Sequence, residues 1–220
     1  MCIRDRAYIG KVPTAVPLST NDLADSIVTS AKITDGTISL ADLSATGTKD
    51  ATTFLRGDNT FAEAGGGGIT EADQWRITGD NSSAGDITSN WERVDNSGQG
   101  YLGTGMTQSS GVFTFPSTGI WEVKFNATCY KNGEVRNAGF EMYYSSDAGS
   151  NFTIMASSST FIQQTEGSFT YSGAELKSLL DITNTSNDKI KFSFSGTGVS
   201  LRGETNLNLT YATFIRLGDT

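Results

Sequence analysis

From Trp75 onward apolar and polar residues alternate with period two, the pattern of strands that bury one face. The clearest run sets Trp121, Val123, Phe125, Ala127 and Cys129 against Glu122, Lys124, Asn126 and Thr128, and predicts a central, half-buried strand. Phe113 and Phe115 share a face before it. After it come Phe140, Met142 and Tyr144, then Ile190, Phe192 and Phe194, and last Leu207, Leu209, Tyr211, Thr213, Ile215 and Leu217, each set expected on an inward face. Asn- and Gly-containing turns separate these runs at Lys131-Asn132-Gly133, Asp147-Ala148-Gly149 and Thr185-Ser186-Asn187-Asp188, because Asn and Gly accept the backbone conformations that tight turns demand. Roughly eight to ten short strands emerge, enough for an all-β, antiparallel jelly-roll sandwich over 75–220. One interval leaves the element open: Leu176, Leu179 and Leu180 in 174–182 fit a helical turn as well as a strand.

The pattern upstream differs. Residues 7–64 carry only three aromatics, Tyr8, Phe54 and Phe61, and a sparse aliphatic stripe of Ile27, Ile33, Ile38 and Leu43. A single copy cannot bury such a stripe, which predicts an extended stalk or attachment segment with little regular structure of its own. Leu23-Ala24-Asp25 recurs as Leu40-Ala41-Asp42, a short internal repeat of the kind found in quasi-one-dimensional assemblies. Gly65 to Gly68 form an unbroken run that costs too much backbone entropy to lie inside an element, so 65–74 is assigned as a hinge. Residues 1–6, Met1-Cys2-Ile3-Arg4-Asp5-Arg6, resemble a translated sequencing-adaptor remnant and are set aside as a non-native start.

Composition narrows the chemistry. The chain has 220 residues, 25 of them Gly, no His, and a net charge of −8. The negative charge argues against a nucleic-acid partner, and the missing His removes Ser-His-Asp and Cys-His nucleophiles and ordinary zinc sites. Neither a membrane span nor the apolar core of a signal peptide is present in the sequence, so no membrane insertion is expected. Catalysis would have to run on carboxylates, for which Asp80 with Asp86 and Glu92 with Asp95 are the nearest pairs. The same loops admit a calcium ion, since a hard cation takes oxygen ligands, although their spacing matches no EF-hand. Cys129 continues an apolar face and is expected to be a buried structural thiol. The sequons at Asn81, Asn126, Asn151, Asn184 and Asn208 are about what a chain so rich in Ser and Thr produces by chance. Tyr143, Phe161 and Phe214 fall on the face opposite the alternating core set, where an aromatic serves an interface, a sugar-stacking platform or a second packed layer.

Two stretches resemble known families. Residues 47–61, GTKDATTFLRGDNTF, resemble an element that precedes the tip domains of bacteriophage tail-fibre and other virion proteins, with Thr53-Phe54-Leu55-Arg56-Gly57-Asp58 matching and Asn59 and Phe61 replacing the usual Gly and Trp. Within that longer motif the Arg56-Gly57-Asp58 tripeptide is taken as coincidental to any integrin-type recognition. Gly111-Val112-Phe113-Thr114-Phe115-Pro116-Ser117-Thr118-Gly119-Ile120-Trp121 is similar to the opening of the globular head of complement component one q, a jelly roll related to tumour necrosis factor, with Trp121 in place of Tyr. Residues 210–220 resemble the last strand of virion versions of that head.

The resemblance implies a homotrimer: a stalk over 7–64, a hinge, and a jelly-roll head, made in the host cytoplasm and carried on the virion. Ile27, Ile33, Ile38 and Leu43 would line the trimer axis of the stalk, and Tyr211 and Phe214 the trimer contact of the head. The expected role is non-enzymatic, a tail fibre or appendage whose head binds a host glycan or outer-membrane protein while the N-terminal segment joins other virion proteins. A purely structural virion spacer and a carboxylate-dependent glycan depolymerase are the alternatives. Receptor contacts are expected in polar interstrand loops: Lys131, Asn132, Glu134, Arg136 and Asn137; Ser146, Asp147 and Asn151; and Asn184, Asn187 and Asp188.

Overall fold

The computed structural model describes residues 25–63, 68–164 and 166–220, with the backbone alone at Leu40. The adaptor-like start, the first Leu-Ala-Asp copy up to Ala24, and Gly65 to Gly67 of the glycine run lie outside the described residues. The chain divides into two compact units, Met1–Gly65 and Gly66–Thr220.

In the first unit, short 3-10 turns at Ser30–Lys32 and Leu40–Asp42 precede a small hairpin of β1 (Thr53–Leu55) and β2 (Phe61–Glu63). Arg56-Gly57-Asp58 forms the hairpin turn. The Asp58 carboxylate accepts from the Thr60 hydroxyl at 2.6 Å and pairs with Arg56 at 3.5 Å, while Asn59 takes the left-handed backbone (φ 63°). Arg56 and Asp58 therefore serve the turn itself, which gives them a local structural role.

The second unit holds two six-stranded antiparallel sheets. Its strands are β3 (Ala72–Ile77), β4 (Gly85–Asp86), β5 (Trp91–Arg93), β6 (Thr107–Ser109), β7 (Val112–Thr114), β8 (Gly119–Asn132), β9 (Val135–Ser145), β10 (Thr153–Ile162), β11 (Phe169–Ile182), β12 (Lys189–Ser195), β13 (Ser200–Leu201) and β14 (Tyr211–Gly218). One sheet runs β10-β9-β12-β7-β6 with β4 on β12; the other runs β11-β8-β14-β3-β5 with β13 on β8. Because β3 starts at Ala72, the last three residues assigned to the hinge are strand.

Both sheets turn their alternating apolar residues inward onto one core. Phe125 of one sheet stacks on Phe192 of the other at 4.6 Å, and Phe113 packs edge-on against Trp91 and Trp75. Trp121 meets Phe115 edge-on at 5.2 Å and donates its indole N–H to the Ser117 carbonyl, closing the turn on which Pro116 sits. The glycines that bracket this stretch are constrained. A Cβ on Gly111 (φ 77°) would lie 2.0 Å from the Ile87 carbonyl oxygen, and one on Gly119 (φ 134°) 2.4 Å from that of Gly218.

One open element is resolved and one expectation is corrected. The 174–182 interval is strand: Leu176, Leu180 and Ile182 are buried on one face of β11, while Leu179 is 62% exposed. In β14 the inward face is the opposite one. Ala212 pairs with Phe125 and Phe214 with Val123, so register with β8 sends the even-numbered residues inward, whereas Leu207 and Leu217 are exposed. The odd-numbered set is the more apolar in sequence, so periodicity points to the wrong face; the small Ala212 sits opposite Phe125 and Trp75, and Phe214 fills the core.

Candidate functional site

The carboxylates that could support hydrolysis are each engaged. Asp80 accepts from the Tyr130 hydroxyl at 2.7 Å and from the Gly203 N–H at 2.9 Å, and Asp86 pairs with Lys191 at 2.6 Å. Glu92 and Asp95 share Arg76, at 3.3 and 2.7 Å. Arg76 is 1% exposed and meets both acids, and the Asn96 side-chain oxygen at 3.2 Å, through Nη2, while its Nε and Nη1 find no partner among the described residues. Among the described residues no three His, Cys, Asp or Glu side chains gather as a cation site would require. Burial pushes the Cys129 thiol up to about 11, which keeps it protonated and unreactive near neutrality.

The three candidate loops lie at two different ends of the head. The 145–151 and 184–188 loops meet, with Ala148 donating to the Asn187 carbonyl at 2.9 Å. At that end the polar groups serve the fold. Asp188 is 2% exposed and accepts from the backbone of Thr183 and Asn184 at 2.9 and 2.8 Å and from the Tyr144 hydroxyl at 2.7 Å. Its assignment as a receptor contact is therefore corrected: it is a buried anchor, needed because three donors at a strand end have no other acceptor. Burial, together with that bond to Asp188, pushes the Tyr144 phenol up to about 12. Asp147 gathers the Ser145 hydroxyl and both the backbone and side-chain amides of Asn151, which hold its carboxyl down at about 2. Ser146, Asn184 and Asn187 are exposed, yet the Asn184 side chain accepts from Ser186 and Asn187.

The 131–137 stretch is a tight hairpin and not the loop expected: Lys131 and Asn132 end β8, Arg136 and Asn137 lie in β9, and only Gly133 and Glu134 connect them, at the end of β8 away from Gly119. Lys131 donates to the Thr197 carbonyl at 2.6 Å and Asn132 accepts from Gln164, so these two brace neighbouring loops. Glu134, Arg136 and Asn137 are exposed, and no side-chain hydrogen bond or ion pair engages them among the described residues.

The aromatics separate in the same way. Tyr143 is half-buried with Lys191 5.4 Å from its ring, and Phe161 is 66% exposed. Phe214 is fully buried against Phe113, Phe115 and Phe192, so its assignment to an interprotomer contact is corrected. Tyr211 does face outward. Cross-strand pairing places it in one row with Arg76, Asn126 and Glu175, on the same sheet face as exposed Phe169, Tyr171 and Leu179. Lys124 pairs there with Glu175 at 2.7 Å and Lys177 with Glu122 at 3.3 Å.

In the first unit the aliphatic stripe stands in solvent. Ile27, Ile33 and Ile38 are 42%, 40% and 57% exposed, and Leu43 is half-buried. The structure adds a repeat that the linear stripe concealed. Turns closed by Thr29 O to Lys32 N, Thr34 O to Thr37 N and Ser39 O to Asp42 N start every five residues, and the residue after each turn region is Ile33, Ile38 or Leu43. Val28, 56% exposed, occupies the equivalent place ahead of the first turn; Ile27 lies one residue out of register. Even spacing of five residues backward from Leu43 would have found Val28 in the sequence.

No protein-family model matches the chain, and no curated protein does. Among solved structures it is similar to the Eiger TNF of S. frugiperda at 12% identity, over 68% of this chain and 93% of that one, with a TM-score of 0.50. An identity so low speaks for the fold alone, and with the sheet order above it gives this chain a jelly-roll sandwich of the tumour-necrosis-factor-like kind.

Proposed function

We propose that this chain is a non-enzymatic virion appendage protein, of the tail-fibre kind, whose homotrimeric head binds a host-cell surface receptor during adsorption. The observation that carries this reading is the five-residue repeat of 28–43, which exposes Val28, Ile33 and Ile38 along a segment with no core of its own. A row that repeats by translation is complementary to further copies of itself, so parallel association of identical chains covers it. Support at the head comes from the outward face of one sheet, where the exposed Phe169, Tyr171 and Leu179 and the half-buried Tyr211 lie among the Lys124–Glu175 and Lys177–Glu122 pairs, an apolar surface that a partner copy could cover. Three copies of one weak receptor site on a common head raise avidity by about 10²–10⁴ without better individual contacts.

Adsorption of the fluorescently labelled full chain to a panel of whole bacterial cells tests the reading. Saturable binding to at least one strain, competed by unlabelled chain, is expected. Failure to bind any strain, together with normal adsorption of phage lacking the protein, would leave the structural-spacer role in its place.

A further inference from the structure

We propose that a cleft between β9 and β10, at the 131–137 end of the head, binds a saccharide; the proposal rests on the receptor-binding reading and names its site and chemistry. Glu134, Val135, Arg136, Phe161, Ile162 and Gln163 line an open cavity of about 300 Å³. A break in strand register forms it. Thr160 pairs with Ala138 and Ile162 with Val135, so β9 sets two residues, Arg136 and Asn137, against the single residue Phe161. Such a bulge bends the strand and re-aims side chains, as bulges beside binding sites do. Here Ile162 turns inward at 2% exposure while Phe161 turns out at 66%, the most exposed large hydrophobic side chain among the described residues.

Among the described residues the Phe161 ring stacks on no other ring and carries no cation, and the side chains of Glu134, Arg136 and Gln163 make no hydrogen bond or ion pair. At the opposite end Asp147, Asn151 and Asp188 are bound up in their own loops. An exposed ring, a carboxylate acceptor, a planar guanidinium donor and an amide that does both are what a pyranose requires: an apolar face to stack, and hydroxyls that donate and accept in pairs. One acid and one base leave the cleft with no net charge, and the chain carries −8 overall, which disfavours a polyanion. The volume, at the small end of the range for small-molecule sites, suits one or two sugar rings.

The test uses the full chain and a panel of free glucose, galactose, mannose, rhamnose, N-acetylglucosamine and N-acetylgalactosamine, read by saturation-transfer NMR. At least one sugar is expected to bind, and Phe161→Ala and Arg136→Ala are each expected to weaken it about tenfold or more, with Asp181→Ala, at the opposite end of the head beside Ile120, leaving it unchanged. All three side chains are exposed, so the variants keep the fold, and matching circular dichroism spectra confirm it. No binding of any sugar in the panel, or binding that Phe161→Ala leaves intact, overturns the proposal. Whole-cell adsorption separates this failure from failure of the receptor reading. Wild-type adsorption that Phe161→Ala preserves keeps the reading and rejects the cleft; adsorption that survives periodate oxidation of the cells but not protease treatment rejects a saccharide ligand.

Discussion

The two units solve the problem of apolar surface in different ways. The second closes its sheets over Trp121, Phe125, Phe192 and Phe214, none more than 1% exposed, and has a core within a single chain. The first buries only Ala45 and Phe61 among its described apolar side chains and leaves its aliphatic row in solvent. Hydrogen-bonded turns every five residues give it a regular shape, but regular shape without burial does not offset the entropy of ordering a chain. The lesson is that one unit buries its apolar surface within a single chain, whereas the other exposes the row that the proposed association of copies would cover.

The sharpest way to break this comparison is to remove the row. Ile33→Ser with Ile38→Ser takes six aliphatic side chains out of a trimer, each worth about 1.5–3 kcal/mol if fully buried. Sedimentation is expected to show weakened or lost association of the first unit, with the head's tryptophan fluorescence unchanged; an unaltered assembly would show that the row is not the contact. Within the head, Phe192→Ala removes the ring stacked on Phe125 and is expected to cost about 3–5 kcal/mol in chemical denaturation. A cost under about 1 kcal/mol would contradict a self-sufficient core.

Asp188→Ala comes next, at about 1–3 kcal/mol, because it strands the Thr183 and Asn184 amides and the Tyr144 hydroxyl. If the variant instead kept full stability and lost only cell adsorption, Asp188 would be a receptor contact after all. The smallest effects come with pH. The Asp147 carboxyl sits at about 2 when folded, below its ordinary value of 3.8, so its contribution is complete above the ordinary value and fades as pH falls from about 4 towards 2. Tyr144 behaves oppositely. Raised to about 12 from 10.0, it contributes fully below 10 and is lost as pH climbs through about 12. Thermal melting across both windows checks these signs: Asp147→Asn should flatten the acid limb, and Tyr144→Phe the alkaline one.

The sandwich was legible from β8, where five inward residues alternate with charged or polar ones, and from the Gly111-to-Trp121 turn. The face of β14 was not, because the odd-numbered set is the more apolar in sequence and only pairing with β8 selects Ala212 and Phe214. Polarity nominated the receptor loops, but polarity cannot tell a free side chain from a committed one. Asp147 and Asp188 look the same in sequence as Glu134 and Arg136; the difference lies in which backbone amides the fold brings within reach. The Phe161 cleft depends on a break in register that no period reveals.

Most directly, the central claim is tested by the solution mass of the intact chain, measured by light scattering coupled to size exclusion over a wide range of dilution. The account predicts three times 23.4 kDa, stable to dilution, because the exposed row needs partner copies. A mass of 23.4 kDa at every concentration would contradict it, leaving the five-residue row of 28–43 without the partner on which the reading depends.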